Sequence, residues 1–441
     1  MSLICTKPIS MLYGRKGMVL QVPISADVLE GAKVKSLDDA DFVIRHGLDN
    51  PVGSPSLASL LAARQPDTVA ITISDITRPV PNEPVVRALL EVINGAGIDD
   101  GRVVIIIGTG MHRPSTPQEQ QELLGEHLLG RCQVVDHHSD DPSGLVRVSE
   151  TPPVSVNRRF IESEFKIVTG LIEPHFMAGF SGGRKGVCPA LVDMQTVQRF
   201  HGYKVMGDAA SANGLLEGNP CHLESLRIAR LAGVDFLVNV SVNHRRQLAG
   251  VYCGDMEQAH LAGTKQVGGW TTSQVAQPYD LIVTNGGGYP LDRTFYQSVK
   301  GIVTPLDAMH EQTTLLIASE CGEGVGSQQY NDIMMQWGSD WQGFLKHIGA
   351  TNVVVKDQWQ YQMHARVLAR IGAQRIRFVS DGLALDTQRR LAINPVNGSA
   401  SVAERCQGFV DQYVARHPNA RIAAIPDGPY TMIHSSRAGR L

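Results

Sequence analysis

Through its first half the chain alternates short, wholly apolar runs with longer stretches in which apolar residues recur every three or four positions. Val69-Ala70-Ile71-Thr72-Ile73, Val103-Val104-Ile105-Ile106-Ile107 and Phe165-Lys166-Ile167-Val168-Thr169 are short and rich in β-branched residues, the mark of buried strands. After the first comes SDITRPVPN and a helix, with Asn82 as its expected cap, Pro84 in the first turn and Gly95 and Gly97 at the end. After the second comes GTGMHRPST, where Thr116 and Glu119 predict a capping box around Pro117 that opens the helix QEQQELLGEHLL. Gln133 to Val135 reads as a further short strand ending at Asp136-His137-His138. After the third comes a loop with Glu173, His175, Ser181, Arg184 and Lys185 among Gly179, Gly182, Gly183 and Gly186. From about Pro189 the residues Leu191, Met194, Val197 and Phe200 then recur at helical spacing and deliver His201 at the helix end.

Strand, loop and helix in repetition predict an α/β fold, a mainly parallel sheet with helices on its faces. Beyond Gly268-Gly269 the rhythm restarts with Leu281 to Thr284, Thr314 to Ala318, Asn352 to Val355, a helix through His364 and Leu368, and Arg375 to Val379. Two domains are expected: 1–270, and a smaller α/β domain at 275–405, with the tail from about 408 to 441 packing back on the first. Met18 to Val22 suggests an edge hairpin within the first thirty residues.

Composition changes the picture mainly by exclusion. Lys+Arg 40 against Asp+Glu 43 leaves a formal charge of −3, so nothing points to nucleic acid. No run approaches the ~18 apolar residues of a membrane span, and the start MSLICTKPIS lacks an apolar signal core. The seven cysteines are dispersed without a CxxC pair, which argues against a disulfide framework or a thiolate zinc site. A cytoplasmic location is the expectation.

In a parallel sheet, ligands bind beyond the carboxyl ends of the strands, so the three loops should share a crevice. They carry Asp75, Thr77 and Arg78; His112 and Arg113; and His175 and Lys185. SGGRKG is not a Walker loop, because Arg184 and Gly186 stand where glycine and Ser or Thr are required. GEGVGS at 322–327 lacks the last glycine of a dinucleotide turn and reads better as a tight turn. Asp75 and Arg78 could be a plain loop ion pair, or Arg78 a clamp for a carboxylate or phosphate. His201 could be a helix-end cap. Lys300 is at helical spacing from Tyr296 and Gln297, either a solvated face or a binding one, and Trp359 reads as core. Taken together, two histidines on neighbouring loops can serve as acid and base on opposite sides of a substrate carbon. An arginine and a lysine would hold a carboxylate, and a third histidine could bind a transition metal if a cofactor supplied the other donors.

The motifs DITRP (75–79), HRP (112–114), EPHFMAGFSGGRKG (173–186) and YQSVK (296–300), in this order, resemble the nickel-dependent lactate racemase family over essentially the whole chain. The resemblance implies a racemase or epimerase that inverts C2 of a 2-hydroxy acid, lactate or a longer acid such as the sugar acid gluconate, in a cleft between the two domains. It implies a nickel-pincer nucleotide, a pyridinium bis-thiocarboxylate mononucleotide, attached through Lys185, with His201 on the nickel. It gives His112 and His175 the acid–base roles, and Asp75, Ile76, Thr77 and Arg78 the cofactor-binding stretch. Arg78, Tyr296, Gln297, Lys300 and Trp359 would contact substrate. The implied chemistry passes the C2 hydride to the cofactor ring and back, and implies cofactor-biosynthesis proteins as partners. The competing readings are a nicotinamide-dependent 2-hydroxy acid dehydrogenase and a non-catalytic nickel or nucleotide carrier.

Overall fold

A computed structural model describes residues 5–243, 245–351 and 353–435, and divides into two compact units. The larger comprises 33–201 and 208–270, and the smaller comprises 1–32, 202–207 and 271–441.

The larger unit is built on six strands. In spatial order they are Leu248–Gly254, Phe236–Val242, Phe165–Leu171, Val69–Ser74, Val103–Gly108 and Gln133–Asp136. All neighbours are parallel except the antiparallel edge pair Phe236–Val242 and Leu248–Gly254. Ile71 lies opposite Ile105 on one side and Ile167 on the other, and all three are fully buried. Helices on both faces explain why these strands carry no polar alternation. The helices Ala40–Asp49, Leu57–Arg64, Asn82–Gly95 and Pro117–Leu124 turn Ile44, Leu48, Leu57, Leu61, Val86, Leu89, Leu90 and Leu124 into the core with Val69, Ile71 and Ile105. Each such side chain contributes about 1.5–3 kcal/mol on burial. The capping box of Thr116 and Glu119 is formed.

Two local expectations are corrected. Asn82 is not a cap: Pro81 occupies the cap position, and Asn82 is the first residue of its helix, buried, with neither side-chain polar atom partnered among the described residues. The helix expected from about Pro189 starts only at Met194, where the Asp193 side chain accepts from the Thr196 N–H. The residues before it are held by other segments: the Leu191 carbonyl accepts from Asn157 N–H and the Ala190 carbonyl from Gly110 N–H.

The smaller unit has its own six-stranded parallel sheet: Asn394–Pro395, Ile376–Val379, Met309–Ala318, Tyr279–Asn285, Ile422–Ala424 and Asp27–Val28. The tail is therefore corrected. Ile422–Ala424 pairs with Leu281–Val283 and belongs to the smaller unit, not to the larger. The cause is packing: the helix Val402–Arg416 buries Val402, Cys406 and Val410 against Leu281, Val283 and Leu316 of the same sheet. The hairpin Thr6–Met11 with Met18–Pro23 joins that core through Met11, Leu20 and Val22, so the chain's start is also in the smaller unit. Residues 353–355 form no strand: Val353 and Val355 are exposed, while residues 352 and 436–441 lie outside the described residues. Among the described residues no helix is long and apolar enough to cross a membrane.

Candidate active site

The strands ending at Ser74, Gly108 and Leu171 are adjacent in the larger unit's sheet, so the loops that follow them meet. Asp75 is buried at the first strand end, and its Oδ2 lies 2.6 Å from His112 Nδ1 in the second loop. Its Oδ1 accepts from the Thr77 hydroxyl at 2.6 Å and more weakly from the Thr77 N–H at 3.3 Å. Burial works against the carboxylate, but the His112 charge and hydrogen bond, with Thr77 and Arg78, outweigh it and hold the carboxyl below its ordinary value. An ionised Asp75 keeps the proton on His112 Nδ1 and leaves Nε2 as the acceptor, on a side chain that is 45% exposed. Ile76 packs against the hydrophobic core.

Arg78 does not pair with Asp75. Its guanidinium bonds Glu173 at 3.0 Å, tying the first loop to the third. His175 is buried, and its Nδ1 accepts from the N–H groups of Ala178 (3.3 Å) and Met177 (3.5 Å). The proton of the neutral ring is then on Nε2, which lies 3.2 Å from Lys185 Nζ. Burial lowers the Lys185 pKa to about 7, with the charges of Arg78 and Arg184 adding to it.

His201 ends the helix Met194–Phe200, buried, its Nδ1 donating to the Val197 carbonyl at 2.8 Å. Burial takes its pKa down to about 3, so the ring stays neutral with its lone pair on Nε2. That is the state in which imidazole binds a metal. Among the described residues no cluster of three His, Cys, Asp or Glu side chains could hold a metal ion.

Sequence reasoning missed the residues that build the lysine turn. Asn239, a lone amide inside the buried strand Phe236–Val242, accepts the Gly183 N–H at 2.7 Å. The Ser181 hydroxyl donates to the Leu171 carbonyl at 2.7 Å and accepts from the Glu173 N–H at 3.0 Å. His260, on the helix Gln258–Thr271, lies so close over Gly183 that a Cβ there would meet its ring at 2.5 Å. Gly186 is equally confined, its missing Cβ 2.3 Å from Val168 Cγ1. A polar residue in the apolar run FLVNVSV was the one readable signal; nothing in the pattern marked His260. The turn's amides are also committed: those of Ser181, Gly183 and Lys185 go to Glu173, Asn239 and Gly182, which leaves them unavailable to cradle an anion. Arg184 likewise faces inward and is not a ligand clamp. His137 is structural, donating from Nε2 to the Val192 carbonyl at 3.0 Å and accepting at Nδ1 from Asn157.

Tyr296, Gln297, Lys300 and Trp359 belong to the smaller unit. The first three share the helix Phe295–Val303, whose N-terminus is capped by Thr294. Trp359, near the start of the helix Gln358–Ile371, is buried and donates from Nε1 to the Tyr296 hydroxyl at 3.1 Å. Gln297 Oε1 is buried without a partner among the described residues. GEGVGS packs against this helix at Gly326. The carbonyls of Gly324 and Val325 accept the first N–H groups of this helix, and a Cβ at Gly326 would lie 2.9 Å from Tyr296 Cβ.

The curated relatives of this two-unit α/β chain are racemases, which makes its class that of an isomerase. The lactate racemase N-terminal domain model matches residues 13–214 and the C-terminal domain model residues 274–433. The chain belongs to the lactate racemase family. It is 30% identical over 389 residues to a lactate racemase of Lactiplantibacillus plantarum, covering 87% of this chain and 89% of that protein. It is 29% identical over 391 residues to one from Thermoanaerobacterium thermosaccharolyticum, covering 88% of each. The lactate racemase apoprotein structure from the latter organism superposes with a TM-score of 0.87 at 27% identity, over 97% of this chain and all of that one. A Thermotoga maritima protein with a TM-score of 0.66 at 17% identity, over 92% of this chain and all of that one, shares the fold.

Proposed function

We propose that the protein racemises lactate or epimerises a longer 2-hydroxy acid at C2, using a nickel-pincer nucleotide attached through Lys185. One observation carries this: loops of adjacent strands bring together an Asp75–His112 pair and a His175–Lys185 pair. The residues fit the group. His201 offers one neutral imidazole and no cluster completes a metal site among the described residues, so the remaining donors fall to a cofactor. Lys185, with a pKa near neutrality, suits covalent attachment. When bound, the nucleotide supplies a reversible hydride acceptor.

The chain's own residues have separable tasks. His112, with its proton held at Nδ1 by Asp75, takes the substrate hydroxyl proton at Nε2. His175 is a donor at Nε2 in the resting chain; it becomes a base there only in the other tautomer, which gives up the Met177 and Ala178 amides. Arg78, kept in place by Glu173, has guanidinium nitrogens suited to a carboxylate. Gln297 and Lys300, with Tyr296 and Trp359, are proposed as further substrate contacts. A dehydrogenase reading loses ground because GEGVGS lacks the last glycine of a dinucleotide turn and its Gly324 and Val325 carbonyls are taken by the helix Phe295–Val303. A carrier would not need His112 and His175.

The test is to produce the chain with and without cofactor-making enzymes, measure its intact mass, and assay interconversion of D- and L-lactate and of larger 2-hydroxy acids. Inversion only in the form with added mass supports the proposal. Inversion by the unmodified chain, or none of any acid by a fully loaded one, would refute it.

A further inference from the structure

Arg184 is among the largest fully buried side chains, yet it faces no carboxylate among the described residues. Its guanidinium donates to the carbonyls of Ala178 (2.8 Å) and Gly182 (3.3 Å) and lies 2.9 Å from His260 Nε2, and its Nε has no partner among the described residues. His260 Nε2 also lies 3.0 Å from the Ser181 carbonyl, to which only a ring N–H can donate, so this nitrogen serves one of its two neighbours at a time. Burial pulls the Arg184 pKa down, but from a starting value so high that the group stays charged at neutral pH. A buried cation balanced only by carbonyl dipoles is costly to keep, and its field falls on the adjacent residue, Lys185.

We infer that Arg184 is a positioning residue for Lys185: its fork ties the two limbs of the 178–183 turn that carries the lysine, and its buried charge joins burial and Arg78 in favouring the neutral amine. The hydrogen bonds point the same way independently. With Nδ1 accepting two backbone N–H groups, His175 presents an Nε2–H to Lys185 Nζ at 3.2 Å, and only an unprotonated amine can accept it. The other groups around Lys185 do not offset the field. Burial and the Arg78 charge act on Lys185 ahead of Arg184, His201 is held neutral, and burial keeps the Cys188 thiol protonated. Burial and Arg184 together also push His260 well below its ordinary value. The result is an amine ready to react before any cofactor arrives, which rests on the proposed attachment at Lys185 only for its use.

The test is competitive labelling of the cofactor-free full-length chain with acetic anhydride across pH, reading Lys185 acetylation by peptide mass spectrometry. In the wild type its midpoint is expected near pH 7. R184Q should raise the midpoint and cut labelling at pH 7 roughly tenfold, one pKa unit. R184K, which keeps the charge but loses the fork, should stay within about threefold of wild type at that pH. A wild-type midpoint near the ordinary lysine value of ~10.4 overturns the inference. So does an unchanged midpoint in a folded R184Q, or equal shifts in R184Q and R184K. Where R184Q does not fold, the wild-type profile and R184K decide. A loaded chain that inverts no hydroxy acid yet shows the pH 7 midpoint sinks the proposed function and leaves this inference standing.

Discussion

Replacing Asp75 with Asn tests the tautomer argument at His112. The substitution keeps the size of the side chain and its contact with Thr77 but removes the charge 2.6 Å from His112 Nδ1. An amide can present N–H to the ring, turning Nδ1 into the acceptor and moving the proton to Nε2, where the lone pair is needed. The same exchange in a Ser-His-Asp triad costs about 10⁴ in rate. Here His112 is 45% exposed and water can rescue some molecules, so the lower part of the range for a general base applies, about 10²–10³. That corresponds to ~2.7–4 kcal/mol of barrier. Because the carboxyl is held below its ordinary value, Asp75 is ionised throughout the neutral range, and the deficit should be constant with pH from about 5 upwards. The assay is initial lactate inversion in both directions on protein whose cofactor loading is measured by intact mass. Full loading with a rate within about threefold of wild type, ~0.65 kcal/mol, would refute the tautomer argument. Loss of loading would instead return Asp75 to the cofactor-binding role read from the sequence.

His112→Ala and His175→Ala should each lower inversion by about 10²–10⁴ with cofactor retained, and in single turnovers should favour opposite stereoisomers; equal impairment of both isomers in both variants contradicts a two-base site. Lys185→Ala should abolish covalent loading, and His201→Ala should lower nickel content while the organic part stays attached, by intact mass and elemental analysis respectively. Gly186→Ala places a Cβ 2.3 Å from Val168 Cγ1 and should destabilise the chain by about 1–3 kcal/mol in urea unfolding; an unchanged midpoint means the turn can yield. Acid should destabilise the cofactor-free chain before carboxylates titrate. His201 and His364 have folded pKa values near 3 and His137 near 4, against about 6.5 unfolded, so the unfolded state takes up protons first as pH falls through 6.5, and stability drops. A flat unfolding midpoint from pH 7 to 5 would contradict those buried neutral rings.

The sequence by itself determined most of the strands, because a run such as VVIII has no exposed face to offer, although the valines of 353–355 are exposed and form no strand. It also determined which loops carry chemistry, since consecutive parallel strands deliver their following loops to one edge. It could not determine which side chains pair there. Asp75 and Arg78 are three residues apart and of opposite charge, yet the fold gives Asp75 to His112 and Arg78 to Glu173, 95 positions away. Arg184, in sequence simply one polar residue of the glycine loop, is a buried clasp, because carbonyls of its own turn and a histidine from a distant helix enclose it. The tail's membership was undecidable for the same reason. Ile422–Ala424 is a strand in any setting, and only the packing of the helix before it selects the sheet it joins. Local patterning depends on neighbours in the chain, whereas partner choice depends on burial shared between distant segments, and that exists only once the chain has folded.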